Sequence, residues 1–268
     1  GATNINAGIL QLDSAADALS SSTAVTIANG ATLDLNNGNE ILGSIAGSGN
    51  IILGSGTLYA GFNNTSTTFS GVISGTGGLT KQGTGTLTLS GSNTYIGATN
   101  IDAGTLQLGN SDVLADTTRV TVAGGALFDL ADNSDTIGSL AGAGNVALGV
   151  SPSAGTLMTG YDNSDTTFSG VISGTGGVTK VGTGNFTLDN VNTYTGATNI
   201  DAGTLTLNVD NAIDPASALT IASGATLGLG NIDYTMAALS GDGNIALGSG
   251  TLTIGDNTST TYSGVISG

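Results

Sequence analysis

A chain of 268 residues with 8% charged side chains and a mean hydropathy of +0.24 has the composition of a packed protein, not of a disordered segment. Its 46 glycines disfavour a helical protein, since an interior glycine costs a helix about 1 kcal/mol relative to alanine, and its two prolines exclude collagen. The net charge of −16 disfavours nucleic acid and anionic membranes as partners, and no apolar run is long enough for direct membrane insertion.

The chain opens with Gly-Ala-Thr-Asn, and the same tetrapeptide returns at Gly97 and Gly196. The last residues, 262–268, match 69–75 and 168–174, so the third copy stops early and both ends look cut from a longer array. No leader with a basic start and an apolar centre precedes the first copy. We therefore expect one continuous solenoid made of three repeat units, 1–96, 97–195 and 196–268.

Each unit also contains a shorter phrase of a glycine followed by alternating polar and apolar residues, as in Gly85 to Leu89. Alternation at period two predicts a strand with one buried face, so Leu87 is expected in the interior. Successive phrases are 19 to 29 residues apart, and residues 151–154 of one interval are interpreted as a surface loop. The phrase occurs eleven times, with its first apolar residue at Leu10, Leu33, Leu58, Leu87, Leu106, Phe128, Leu157, Phe186, Leu205, Leu227 and Leu252.

Other short β-like runs, such as 24–28, 50–53 and 120–122, lie between Gly, Asn, Asp and Ser residues that suit tight corners. A recurrence of about 24 residues is too short for a βαβ unit, so each interval is interpreted as one turn of a coil with every phrase above the previous one. Parallel crossovers are right-handed in nearly all proteins. The sequence thus predicts an all-β, right-handed parallel β-helix of about eleven rungs without significant α-helix.

The segment from Gly75 to Leu108 resembles the passenger-associated repeat of bacterial autotransporters, and the segment from Gly174 to Leu207 does so too. Both contain a Gly-Gly-Leu/Val-Thr-Lys phrase, a Gly-Thr-Gly turn, an Asn-Thr-Tyr corner and an Ala-Gly-Thr-Leu strand. Ile96, Asn100 and Phe186 depart from the commoner residues of the repeat. The resemblance implies a secreted passenger β-helix exposed on the bacterial cell surface by type V secretion and often involved in adhesion.

Two lysines, Lys81 and Lys180, occupy equivalent places 99 residues apart. A binding role is conceivable, but we expect solvated charges that discourage wrong strand pairing. Asp132, Asp135, Asp162 and Asp165 could in principle serve glycoside hydrolysis or hold calcium. Because Asp162 and Asp165 correspond to Asn63 and Ser66 in the first unit and to Asp256 and Ser259 in the third, the carboxylates do not repeat, and we interpret them as solvated turn residues.

Aromatic residues also recur at equivalent positions and could bind glycans along a face, although packing is the favoured interpretation. The outward threonines 86, 88, 204 and 206 resemble an ice-binding surface, but unequal intervals would break a flat lattice. The glycines at 75, 77 and 78 lack the ending of a phosphate loop and are interpreted as a turn. The equivalent aromatic sets are Tyr95 with Tyr194, Phe69 with Phe168 and Tyr262, and Phe62 with Tyr161.

Catalysis finds little support, since the chain has no histidine, Arg119 is the sole arginine and no serine has an evident base. We expect no catalytic residue, no cofactor and no metal. The first hypothesis is a structural adhesin stalk whose partners are neighbouring repeats and a glycan or protein receptor. The second is a protomer of an extracellular filament that stacks end to end, and a polysaccharide-acting β-helix enzyme is third.

Overall fold

The computed structural model describes residues 1–13, 17–255 and 259–268, and within these ranges the chain has strands and turns but no helix. The chain forms two compact units, Gly1–Asp129 and Leu130–Gly268. Strands within each unit pair in parallel and stack as a β-solenoid, which confirms the predicted all-β fold. The hand of the coil and the division into three sequence units stay predictions.

The described part of the first unit contains β1 (Ala2–Ile5), β2 (Ile9–Gln11), β3 (Ala24–Ile27), β4 (Thr32–Asp34), β5 (Glu40–Leu42), β6 (Ser44–Gly47), β7 (Asn50–Gly54), β8 (Leu58–Ala60), β9 (Thr67–Phe69), β10 (Ile73–Gly75), β11 (Leu79–Lys81), β12 (Thr86–Leu89), β13 (Thr99–Ile101), β14 (Thr105–Leu108), β15 (Arg119–Val122) and β16 (Leu127–Asp129). These strands form three parallel ladders, so a turn of the coil has three sides. The first ladder contains β1, β3, β6, β9, β12, β14 and β16. The second contains β2, β4, β7 and β10, and the third contains β5, β8, β11, β13 and β15.

The described part of the second unit contains β17 (Asp135–Ile137), β18 (Ser139–Gly142), β19 (Asn145–Ala147), β20 (Thr156–Thr159), β21 (Thr166–Phe168), β22 (Ile172–Gly174), β23 (Gly177–Lys180), β24 (Asn185–Leu188), β25 (Thr193–Tyr194), β26 (Thr198–Ile200), β27 (Thr204–Leu207), β28 (Leu219–Ile221), β29 (Thr226–Gly228), β30 (Tyr234–Met236), β31 (Leu239–Gly241), β32 (Asn244–Ala246), β33 (Leu252–Ile254) and β34 (Val265–Ser267). One ladder runs β17, β20, β23, β26, β28, β31 and another runs β18, β21, β24, β27, β29, β32, β34. The third side is formed by β19, β22 and β25 and, later, by β30 with β33. The second unit therefore has the same three-sided construction.

Inward side chains stack in columns along each ladder. In the first unit Leu87 pairs in register with Leu106, which pairs with Phe128, and all three are buried. This confirms the interior position predicted for Leu87. Each such side chain contributes roughly 1.5–3 kcal/mol on burial, so the columns dominate the stabilisation of the coil.

The phrases do not all lie above one another, which corrects the sequence prediction. Leu33 pairs with Ile51 on the second ladder, whereas Leu58, the next phrase, pairs with Leu79 on the third. Intervals of 19 to 23 residues within a unit are one turn, and intervals of 25 or 29 residues are one and one-third turns. The described residues consequently make about 13 turns instead of the predicted eleven rungs.

The long repeat is likewise not a whole number of turns. Leu10 lies on the second ladder, whose next levels are Leu33, Ile51 and Ile73, and the backbone N–H of Thr94 donates to Ile73 O one level further on. The chain then passes through β13 before it reaches Leu106 on the first ladder. The 96 residues from Leu10 to Leu106 therefore advance four and two-thirds turns.

Candidate functional site

Lys81 at the end of β11 is fully buried, which is unusual for a lysine. Its Nζ donates hydrogen bonds to the backbone carbonyls of Gln82, Gly83 and Ala103 at 2.7, 2.8 and 3.0 Å. An ammonium group has three donors, and here each of them satisfies a carbonyl at a corner of the coil. Lys81 thus ties together the corners of two successive turns.

Lys180 on β23 repeats this arrangement in the second unit. Its Nζ donates to the carbonyls of Val181, Gly182 and Ala202 at 2.6, 2.8 and 3.2 Å, and the side chain is 1% exposed. Burial lowers the pKa of each lysine to about 8, because the charged ammonium loses its hydration. Near Lys180 the carboxylate of Asp165 opposes this lowering.

The prediction that both lysines are solvated charges is therefore wrong. A signal was present in the sequence, since Lys81 follows the inward Leu79 by two residues and Lys180 follows the inward Val178 by two. Side chains two apart on a strand lie on the same face. The alternation of the strand therefore predicts an inward lysine at both positions, although lysine side chains usually lie in water.

The glycine after each lysine corner permits this close packing. Gly83 and Gly182 have φ values of 66° and 68°, a region that L side chains rarely adopt. A Cβ at these glycines would also collide with the carbonyl oxygens of Gly61 and Gly160 on the preceding turn. The Gly-Thr-Gly turn of the sequence is therefore required by backbone geometry.

The asparagine of the Asn-Thr-Tyr corner is buried in both copies, and the sequence alone assigned it no contacts. Asn93 Oδ1 accepts from the N–H of Ile73 at 2.9 Å, and its Nδ2 donates to the carbonyls of Gly91 and Val113 at 2.9 and 3.0 Å. Asn192 makes the same three contacts with Ile172, Asn190 and Ala212. Each asparagine therefore joins three levels of the coil by hydrogen bonds to backbone groups.

Tyr95 and Tyr194 are fully buried, so packing is confirmed for these two rings. The hydroxyl of Tyr95 lies 2.6 Å from Thr99 Oγ1, and that of Tyr194 lies 2.7 Å from Thr198 Oγ1. Burial raises the pKa of Tyr194 above its usual range, and the hydrogen bond with Thr198 opposes this. Phe69 and Phe168 are also fully buried, while Tyr262 is partly buried and donates to Gly243 O.

Glu40 is a further buried polar group, at 1% exposure. Its carboxylate accepts from the backbone N–H groups of Ala18 and Leu19, both at 2.8 Å. Burial raises the pKa of Glu40, and these two hydrogen bonds oppose the shift. Alternation with the inward Leu42 is the sequence signal that places this side chain inside.

Three of the four aspartates predicted as turn residues, Asp132, Asp162 and Asp165, lie between strands at corners of the coil. Asp132 and Asp165 are exposed, and Asp132 Oδ1 accepts from the N–H of Val150 and Ser151. Asp162 is partly buried and accepts from Ser139 Oγ at 2.9 Å. Asp135 is 1% exposed, so its prediction as a solvated residue is wrong; it begins β17 with its side chain inward. Asp256 lies outside the described residues.

Two shallow features of the first unit's exposed surface concern positions for which the sequence suggested a role. A polar groove of about 350 Å³ is lined by residues 66–68 and by Thr86, Thr88 and Gln107. Thr88 Oγ1 lies 3.0 Å from Gln107 Oε1, and glutamine in the threonine column interrupts the regular lattice that ice binding requires.

The glycine segment 75–78 forms a corner, with the N–H groups of Thr76 and Gly77 donating to Gly54 O.

The second feature is a groove of about 520 Å³ around the exposed ring of Phe62. Gln82, Gly83 and Ala103, whose carbonyls Lys81 holds, line it together with Asn64 and Asp102. In the second unit Tyr161, equivalent to Phe62, is also more than half exposed. Packing therefore does not explain this pair of rings.

Among residues 1–13, 17–255 and 259–268, no helix has the length and hydropathy needed to cross a membrane. The same ranges bring no three acidic side chains together as a candidate metal site. Arg119 is exposed on β15.

Two segments of the chain, 79–108 and 178–207, match the passenger-associated-transport-repeat family. The chain is also 36% identical over 216 residues to the adhesin BmaC autotransporter of Brucella suis biovar 1 (strain 1330). That match covers 75% of this chain and 6% of the relative, so the chain spans a small part of the protein it resembles. No solved structure matches the chain.

Proposed function

We propose that this chain, which matches the passenger-associated-transport-repeat family at two segments and an autotransporter adhesin over 75% of its own length, serves as a non-catalytic spacer in a bacterial surface adhesin. The spacer supports and displays adhesive parts of a longer protein outside the cell. Its partners in this proposal are the neighbouring repeats of that protein and a glycan or protein receptor on another surface.

The observation that carries the proposal is the direction of the polar groups in the matched segments. Lys81, Asn93 and Tyr95 all point inward and bind backbone or side-chain atoms of the coil. A catalytic site needs titratable groups that reach a substrate. These buried polar residues of the repeat instead hold corners together, which is the chemistry of a stiff support.

Export is consistent with the same features. A coil without cysteine folds independently of redox conditions, and its stability grows from contacts between successive turns. Such a chain can fold turn by turn after it crosses a membrane. We propose that the segment is located on the cell surface.

Surface labelling of the source bacterium tests the proposal. Antibodies raised against the purified chain should bind intact cells, and an in-frame deletion of the segment from the full-length protein should reduce adhesion while the rest of the protein stays exposed. Labelling only after cell lysis would contradict the surface role.

The filament alternative gives a different result with the purified chain. Electron microscopy at increasing concentration should show isolated particles if the chain is a spacer. Long uniform fibres that grow with concentration would favour the filament instead. Hydrolysis of polysaccharides by the same sample would favour the enzyme.

A further inference from the structure

We propose that the groove around Phe62 binds a neutral oligosaccharide, and that the Tyr161 corner of the second unit is a second site of the same kind. This inference names a ligand for the adhesive role proposed above and rests on it. The spacer role itself does not require the groove.

The exposed ring of Phe62 offers an apolar face to a ligand in the groove. Phe62 is 55% exposed and Tyr161 is 52% exposed, although most other large rings of the chain, Phe69, Tyr95 and Tyr194 among them, are fully buried. A ring face in water is an apolar, weakly negative platform. The C–H face of a pyranose is the complementary surface, being apolar and weakly positive.

Polar groups that can bind sugar hydroxyls lie beside the ring. Asp102 is exposed, and its carboxylate is a strong acceptor for sugar hydroxyls. Asn64 uses its Oδ1 to accept from the N–H and Oγ1 of Thr84, which fixes the amide and leaves its Nδ2 oriented as a donor. A few fixed polar groups beside an apolar surface are typical of a small-ligand site.

The ring and the polar residues beside it recur in the second unit, whereas the aspartates at 162 and 165 have no aspartate counterparts in the first. Asn163 accepts from Thr183 just as Asn64 accepts from Thr84, and the N–H of Asp201 donates to Lys180 O just as that of Asp102 donates to Lys81 O. The aromatic residue, the asparagine, the glycine, the aspartate and the alanine all recur 99 residues on.

The buried lysines give the groove a rigid floor. Lys81 binds the carbonyls of three of the groove residues, Gln82, Gly83 and Ala103. A site that is ordered before binding loses less entropy when the ligand arrives. The net charge of −16 further selects a neutral sugar chain over an acidic one.

NMR titration of the full chain tests this inference. Neutral glucose, galactose and mannose oligosaccharides serve as probes, with oligogalacturonate as the acidic comparison. At least one neutral probe should shift the backbone amides of Gly83, Asp102 and Ala103 and those of Gly182, Asp201 and Ala202, with a millimolar Kd. Oligogalacturonate should shift none of them.

Variants separate the ring from general surface effects. The double substitution Phe62→Ala and Tyr161→Ala should weaken binding at least tenfold, and Asp102→Asn with Asp201→Asn should weaken it several-fold. Val150→Ala, which shortens another exposed apolar side chain, is the control and should bind as the parent does. Because all these positions are exposed, unchanged thermal unfolding verifies that each variant is folded.

Absence of shifts with every neutral probe, equal binding by the ring variant, or preferential binding of oligogalacturonate would each overturn the inference. Any of these results would leave surface labelling and the deletion phenotype unaffected. The two proposals can therefore fail separately.

Discussion

The two passenger-associated repeats, 79–108 and 178–207, share the buried polar contacts of their corners and differ on their exteriors. Two buried apolar positions also change, from Leu79 to Val178 and from Leu87 to Phe186. Inside, Lys81, Asn93 and Tyr95 have the counterparts Lys180, Asn192 and Tyr194, with equivalent hydrogen-bond partners. Outside, Gln82 is replaced by Val181 and the exposed Ile96 by Thr195. The comparison indicates that buried polar contacts at the corners restrict the sequence more strongly than the surface does.

The largest loss of stability is expected when a charge is placed in the apolar interior of one repeat. Leu87→Asp should destabilise the first unit by about 4 kcal/mol or more, because an unpaired carboxylate would be buried in a column of apolar side chains. Thr86→Asp, on the outward face of the same strand, is the matched control and should change the free energy of unfolding by less than about 0.5 kcal/mol. Urea unfolding followed by circular dichroism measures both, and equal midpoints would contradict the assigned facing.

A second test removes the lysines, one in each repeat. Lys81→Met and Lys180→Met should each cost about 2–4 kcal/mol, because the methionine fills the space but leaves three partly buried carbonyls without their charged donor. If the two interiors are equivalent, the two losses should agree within about 1 kcal/mol.

Gln82→Val, which copies the surface residue of the second repeat into the first, is the control for the lysine variants. It should leave the urea midpoint nearly unchanged. A lysine variant as stable as this control would show that the carbonyls find water when the ammonium is removed.

The pH dependence of stability sharpens the comparison further. With a folded pKa of about 8 and a usual value of 10.5, each lysine binds fewer protons in the folded state than in the unfolded chain between these pH values. The free energy of unfolding should therefore rise between pH 8 and 9.5, by about 1–1.5 kcal/mol per lysine. Tyr194 and Tyr234 have raised pKa values, so their deprotonation in the unfolded chain should lower stability above pH 10.

Urea titrations at closely spaced pH values measure this profile. The variant that carries both Lys81→Met and Lys180→Met should lose the rise below pH 9.5 and keep the fall above pH 10. A flat profile in the parent protein would mean that the three carbonyls keep each ammonium protonated despite burial.

The smallest expected effect concerns the tyrosine hydroxyls. Tyr95→Phe and Tyr194→Phe should each cost about 1 kcal/mol, the usual contribution of one buried hydrogen bond. A double-mutant cycle of Tyr95→Phe with Thr99→Val isolates that bond and should give a coupling of similar size. A coupling near zero would indicate that the two hydroxyls have other partners.

The sequence was sufficient for the local structure because alternation is a local property. Leu87 and Leu89 are buried and Thr86 and Thr88 are more accessible, as period two requires. The ladder on which a phrase lies depends instead on the lengths of all the loops before it. Leu58 pairs on a different ladder from Leu33 although the two phrases read alike, so stacking order could not be obtained from the phrases alone.

The functional positions were harder to predict for a related reason. Residue preference places lysine in water, but three carbonyls from two turns made Lys81 an interior residue. Those carbonyls are brought together only when Gln82 and Ala103 occupy successive levels, at a separation of 21 residues in the sequence. The exposed position of Phe62 also depends on its corner, since the equally aromatic Phe69 is inside.

The advance of four and two-thirds turns from Leu10 to Leu106 has a consequence for any longer array of the same unit. Every added repeat would rotate its copy of a given side chain by one third of a revolution, and the fourth copy would face the same direction as the first. The saccharide groove proposed above, if present once per repeat, would then face three directions in turn along such an array.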